Sequence, residues 1–114
     1  MKKYFINIIL LLIICCSDNS QPIILISYPL DGDTISGIVE IIVEIDTYLE
    51  VIKVDYYVDE ILMTTLSEDP FYWMLNTTEY LDTLHTLKAY AYTSNGSVGI
   101  SDIIEVTVDQ SSIE

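Results

Sequence analysis

Between residues 23 and 108 apolar and polar side chains alternate in short runs, and a period of two is what a β-strand with one buried face requires. The clearest case is Val39-Glu40-Ile41-Ile42-Val43-Glu44-Ile45-Asp46. There Val39, Ile41, Val43 and Ile45 share one face, while Glu40, Glu44 and Asp46 share the other. The run Ile52-Lys53-Val54-Asp55-Tyr56-Tyr57-Val58-Asp59 repeats the pattern, with Ile52, Val54, Tyr56 and Val58 predicted inward and Lys53, Asp55, Tyr57 and Asp59 outward. Further strands are predicted over Ile23 to Tyr28, Ile61 to Leu66, Phe71 to Leu75, Leu84 to Thr93, and Val98 to Val108. No long helical period occurs in this span.

Between these runs stand Pro29-Leu30-Asp31-Gly32-Asp33, Asp59-Glu60, Glu68-Asp69-Pro70 and Ser94-Asn95-Gly96-Ser97, residue types suited to tight turns. Enrichment in Ile, Val, Tyr and Thr favours strands on propensity as well. Seven short strands in about 90 residues predict an all-β fold, an antiparallel two-sheet sandwich of immunoglobulin type.

The first 16 residues, MKKYFINIILLLIICC, follow a different rule. Two lysines precede an apolar run from Ile8 to Ile14 that ends in adjacent Cys15 and Cys16. The run is too short for the about 20 apolar residues that a bilayer span needs, and polar residues follow at once, so it reads as an export signal. Leu12-Ile13-Ile14-Cys15-Cys16 resembles a bacterial lipoprotein lipobox, which implies a lipidated cysteine. Cys16 is the favoured acceptor, preceded by small Cys15; Cys15 as acceptor would follow bulky Ile14. The expected organisation is a leader over residues 1–15, the lipidated cysteine and a short tether over 16–21, the sandwich over 22–109 and a tail over 110–114. Five residues from Ser17 to Gln21 reach at most about 17 Å, which would hold the domain close to a bilayer. The expected location is the cell envelope, lipid-anchored to a bacterial membrane; the inner membrane and the outer membrane or cell surface stand as alternatives.

Charge and cysteine content narrow the function. The full chain of 114 residues carries 4 − 18 = −14. Without Lys2 and Lys3 the cations are Lys53 and Lys88, giving 2 − 18 = −16. Such a chain is repelled by phosphate backbones and by anionic headgroups, so no nucleic-acid partner is expected and membrane attachment falls to the acyl chains. No cysteine follows residue 16, so the domain coheres without a disulfide.

Tyr28-Pro29-Leu30-Asp31-Gly32-Asp33 with Gly37 resembles the P-x-D/N-G-x-x-x-x-G segment that leads into the second strand of bacterial Ig-like domains. Val54-Asp55-Tyr56-Tyr57-Val58-Asp59 is similar to their V-E-F-Y-V-D run, and Pro70-Phe71 stands where they have Pro-Tyr. Leu81, Asp82, His85, Leu87, Ala89, Ala91, Tyr92, Gly96 and Ser101 match their Y-L-D-G-x-H-x-L-x-A-x-A-Y-D pattern with its following glycine turn and serine. The chain departs from the pattern at Thr83, Thr93, Glu60 and Leu75, and Trp73, two residues before Leu75 on the same face, is placed to supply aromatic bulk. The resemblance spans residues 22 to 109. It implies a structural or binding module found in exported and surface proteins, with no active site to carry over.

Candidate chemistry is correspondingly thin. His85 shares inward parity with Leu87, Ala89 and Ala91, which assigns it to packing or turn bonding rather than to a triad with Asp82. The sequence holds no nucleophile elbow, zinc motif or phosphate loop, so no catalytic residue is expected. Asp31 and Asp33 are weak calcium candidates, since their spacing matches no EF-hand and the D-G pair serves as a turn; no cofactor is expected. A binding face is the remaining candidate. In an Ig-type sandwich outward Tyr57 falls near outward Tyr90 and Tyr92, joined by Lys53, Lys88 and Ile103. Clustered Tyr and Ile mark interaction surfaces, here for a protein or glycan partner. Cross-strand pairs that merely stabilise exposed strands would use the same residues.

Overall fold

The computed structural model describes residues 21–112; the leader, Cys15 and Cys16 lie outside the described residues. Among the described residues nine strands form: β1 (Ile23–Tyr28), β2 (Thr34–Ile35), β3 (Ile38–Asp46), β4 (Val51–Val58), β5 (Ile61–Leu66), β6 (Trp73–Asn76), β7 (Leu84–Thr93), β8 (Val98–Ile100) and β9 (Ile104–Val108). Short 3-10 turns cover Thr77–Glu79 and Gln110–Ser112. One sheet has the order β1-β3-β6, and the other β2-β9-β7-β4-β5 with β8 paired to β7. This is the antiparallel sandwich that the alternation predicts, with one parallel contact where β2 meets β9.

The core lies between the sheets. Ile24, Ile26, Val39, Ile41 and Val43 come from the first sheet and Val54, Tyr56, Val58, Leu87, Ala89, Ala91, Val106 and Val108 from the second, all buried. Alternate residues along each strand therefore face one another across the sandwich, as two-sheet packing demands. Trp73 packs against this cluster with its ring centroid 5.4 Å from that of Tyr56. Leu75 is buried beside it, so both residues of that face contribute.

The structure corrects four details of the pattern. Ile52, assigned inward, is 45% exposed; the β4–β7 register shifts between Val51 and Lys53, and Val51 packs on the core instead. Such a bulge offsets the alternation by one residue. Asp55, assigned to water, is 5% exposed and accepts a hydrogen bond from the Thr65 hydroxyl at 2.6 Å. Phe71 has φ 66°, which is incompatible with extended backbone, so β6 begins at Trp73. The last predicted strand is broken at Ser101–Asp102–Ile103. There the Ser101 hydroxyl accepts the Ala89 amide at 2.9 Å in place of a backbone carbonyl, and β9 starts afresh.

One glycine is fixed by close approach. A Cβ on Gly99 of β8 would stand 2.3 Å from the Pro22 carbonyl oxygen, so this packing of β8 against the residue preceding β1 requires a residue without one.

Candidate functional site

β4 and β7 are central neighbours in the larger sheet, and their register sets the outward side chains opposite one another: Lys53 with Tyr92, Asp55 with Tyr90, Tyr57 with Lys88. Pairs in this relation are within side-chain reach. The Tyr57 and Tyr90 rings lie 5.1 Å apart at 40°, and Tyr90 and Tyr92 are stacked at 6.4 Å and 21°. The Lys53 ammonium sits 4.5 Å from the Tyr92 centroid, while that of Lys88 sits 5.5 Å from Tyr57 and 5.2 Å from Tyr90. These are cation–π distances, each contributing about 0.5–1 kcal/mol at an exposed site. The sheet thus brings Tyr57, Tyr90, Tyr92, Lys53 and Lys88 onto one partly exposed surface.

Asp55 lies within this array. Burial first, then the Asp55 carboxylate charge with neighbouring Tyr57, raises the pKa of the Tyr92 hydroxyl, which stays neutral around pH 7. The surface therefore presents two ammonium groups and three phenols over one covered carboxylate. It can offer hydrogen bonds, ring faces partly capped by ammonium groups, and positive charge in an otherwise acidic domain.

Ile103 falls in the break between β8 and β9, exposed but outside the strand ladder. The exposed residue opposite Tyr90 is Ile100, and the one opposite Tyr57 is Leu62 on β5. Neither was expected there, because period two identifies a face while the residue across the ladder depends on register. The break in the strand at 101–103 and a β4–β5 register shift between Tyr56 and Tyr57 set those partners.

The two other candidate sites are occupied by the fold's own bonds. Asp31 Oδ1 accepts the Glu105 amide at 2.8 Å and Asp33 Oδ2 accepts the Leu30 amide at 2.8 Å, so both carboxylates hold the β1–β2 loop. His85 Nδ1 lies 2.7 Å from Asp59 Oδ2 and Nε2 lies 2.8 Å from the Leu81 carbonyl. Its carboxylate partner is therefore Asp59 in the β4–β5 turn. Asp82 instead faces the Gln110 amide at 3.4 Å. Tyr80 stands edge-on to the imidazole at 5.4 Å. Burial works against a charge on His85, but the Asp59 hydrogen bond, the Leu81 carbonyl and the Asp59 charge outweigh it and raise its pKa. Burial likewise works against the Asp59 charge, yet the bonds from His85 and the Thr86 amide, with the imidazolium charge, lower its pKa. The two groups act as a staple between the β4–β5 turn and the start of β7.

The fold has solved counterparts. The fibronectin(III)-like modules of Clostridium thermocellum CbhA superpose with a TM-score of 0.67 at 22% identity, over 75% of this chain and 94% of theirs. The endo-beta-1,4-mannanase of Thermotoga petrophila gives 0.64 at 18% identity, over 79% of this chain but 20% of the enzyme. A lytic polysaccharide monooxygenase of Jonesia denitrificans gives 0.54 at 20% identity, over 71% of this chain and 60% of that one. No curated protein matches the sequence significantly. At sequence level the bacterial Ig domain profile matches residues 22–89, from the residue before β1 into the middle of β7, and the chain belongs to that family.

Proposed function

We propose that the chain is a non-catalytic envelope lipoprotein whose single Ig-like sandwich binds a protein or glycan partner through the tyrosine-bearing sheet. Modules of this family are typically non-catalytic and extracellular. The observation that carries the reading is the coalescence of Tyr57, Tyr90 and Tyr92 with Lys53 and Lys88, the only cations after the leader, on one surface of a domain that is acidic elsewhere. Tyrosine offers large contact area at small entropic cost, and the two ammonium groups add selectivity for electron-rich partners. Cys16 would supply the anchor, with a tether of at most about 17 Å before the start of the domain.

The test is the double substitution Tyr57→Ala with Tyr90→Ala. Both rings lie outside the core, so the melting temperature should change by only a few degrees, whereas retention of the partner identified by affinity capture should be lost. Retention unchanged in the double variant overturns the reading. Intact mass of membrane-extracted protein addresses the anchor: a mass beginning at Cys16 with added acyl groups is expected, and a product retaining residues 1–15 opposes it.

A spacer is the second reading, favoured by the lysines lying over the tyrosine rings, since a surface that satisfies its own cations needs no ligand. The same double substitution would then lower stability and alter no capture.

A further inference from the structure

The larger sheet ends at β5, whose residues Ile61-Leu62-Met63-Thr64-Thr65-Leu66 carry neither charge nor proline. Its inner edge pairs with β4, and among the described residues no turn or loop bond engages the backbone groups of its outer edge. The register shift opposite Tyr56 and Tyr57 interrupts alternation, so Ile61, Leu62 and Met63 are exposed in succession, by 63%, 49% and 44%. The other edges differ from it. β2 has two residues, β8 three and β6 four, while β1, also six residues long, lies alongside β7 and β8, with the preceding Pro22 packed against Gly99. A bare apolar edge of six residues is what proteins ordinarily blunt with lysine, proline or a covering loop.

Charge selects the occupant. Asp59 and Glu60 precede β5 and Glu68 and Asp69 follow it, and an open groove beside its far end is lined by Glu40 and Glu68 with Thr65, Leu66 and Tyr72. A second copy pairing antiparallel would set Asp59-Glu60 against Glu68-Asp69, and pairing in parallel would set like against like, so acid meets acid either way. We infer that β5 is a docking edge for an extended segment of a partner protein that has apolar residues at its centre and lysine or arginine at both ends. The segment joins the sheet as an added strand, gaining main-chain hydrogen bonds along β5 and charge pairing at its ends. The inference deepens the binding-module reading and rests on it for the protein being a binder. Leu62, the register partner of Tyr57, joins this edge to the tyrosine face.

The probe is a fluorescent TVTVTV peptide flanked by two lysines at each end, titrated by anisotropy against the full chain as purified from expressing cells. Controls carry glutamate flanks or backbone N-methyl groups at alternate central residues. The lysine peptide should bind, with at least about tenfold weaker binding for the glutamate peptide and for the N-methylated one. Hydrogen exchange should slow at residues 61–66. The double substitution Leu62→Lys and Met63→Lys changes exposed side chains only, and should weaken binding by about tenfold or more at an unaltered melting temperature.

Equal binding of the lysine and N-methylated peptides, or protection away from β5, overturns the inference. So does absence of peptide binding, or a concentration-dependent dimer that the Leu62→Lys and Met63→Lys change dissolves, because the occupant would then be a second copy. Tyr57→Ala with Tyr90→Ala separates the two proposals. If that variant retains its captured partner yet binds the peptide through β5, the tyrosine reading falls and the edge stands; capture lost while no peptide binds gives the reverse.

Discussion

Strands β3 and β4 carry the two clearest alternating patterns in the chain, and only one of them folds as written. In β3, Val39, Ile41 and Val43 are buried, and Glu40, Glu44 and Asp46 face water. In β4 the same rule fails at Ile52, which is exposed, and at Asp55, which is covered. The difference comes from the neighbours. β3 pairs with β6 without a shift, and its shift against β1 falls between Ile26 and Tyr28 and leaves the inward set in place. β4 is flanked by β5 and β7 and bears a shift in both ladders, and its outer face is roofed by Tyr90, Tyr92 and their lysines. Alternation therefore reports burial reliably only where the ladder is unbroken and the outer face meets solvent.

Truncating one isoleucine in each strand breaks this comparison most directly. Ile41→Ala removes a side chain with no exposed surface and should lower unfolding free energy by about 2–5 kcal/mol in urea titration. Ile52→Ala, at the position that the alternation also assigns inward, should cost less than about 0.5 kcal/mol. Similar losses at the two sites would mean that the bulge at Ile52 does not form in solution.

A smaller effect separates adjacent tyrosines within β4. The Tyr56 hydroxyl, buried, donates to the Phe71 carbonyl, and burial first, with a contribution from Tyr72, holds its pKa well above the usual phenol range. Tyr56→Phe deletes that donor and leaves a buried carbonyl unpaired, a loss of about 1–2 kcal/mol. Tyr57→Phe, one residue on and facing out, should change stability by less than about 0.5 kcal/mol. Denaturant midpoints measured on both variants decide it.

How much could be read beforehand follows the same division. β1, β5 and β7 occupy the residues that period two and turn chemistry assign, and the family motif locates the loop at Asp31-Gly32-Asp33, where both carboxylates bond to backbone amides. β2 escaped because two residues carry no period, and it exists only through its parallel pairing with β9. The side chains of Tyr57, Tyr90 and Tyr92 could be placed on one face by parity alone. That Lys88 rests over both Tyr57 and Tyr90, or that His85 reaches Asp59 rather than Asp82, depends on the β4–β7 register and on a contact 26 residues apart in sequence. Local patterns hold no term for either.

The turn that ends β4 offers a change of opposite sign. Asp59 and Glu60 both have positive φ, 53° and 67°, as a two-residue hairpin of type I′ requires, and Glu60 stands where the family pattern places glycine. Glu60→Gly relieves a side chain held in the left-handed region and should raise stability by about 0.5–1 kcal/mol, offset in part by the extra freedom of glycine in the unfolded chain. Thermal unfolding at matched scan rates would show it as a small rise, and a fall would refute the I′ assignment.

The smallest effect is a dependence on pH at the same end of β4, and its sign distinguishes the two partners of the staple. His85 has a folded pKa above its unfolded value, so its stabilisation is complete below about pH 6.5 and is lost as pH rises through the raised value. Asp59 has a folded pKa below its unfolded value, so its stabilisation is present above about pH 4 and is lost as pH falls through the lowered value. The two together give a shallow maximum between these limits. Its height is limited because the Asp59 side chain is 43% exposed and water screens the pair. Urea midpoints taken from pH 3 to pH 9 should trace that maximum in the native chain. In His85→Gln the alkaline decline should vanish, and the acid decline should weaken while persisting through the Thr86 amide that still bonds Asp59. An alkaline decline unchanged in His85→Gln would assign that titration to another group and leave His85 a neutral packing residue.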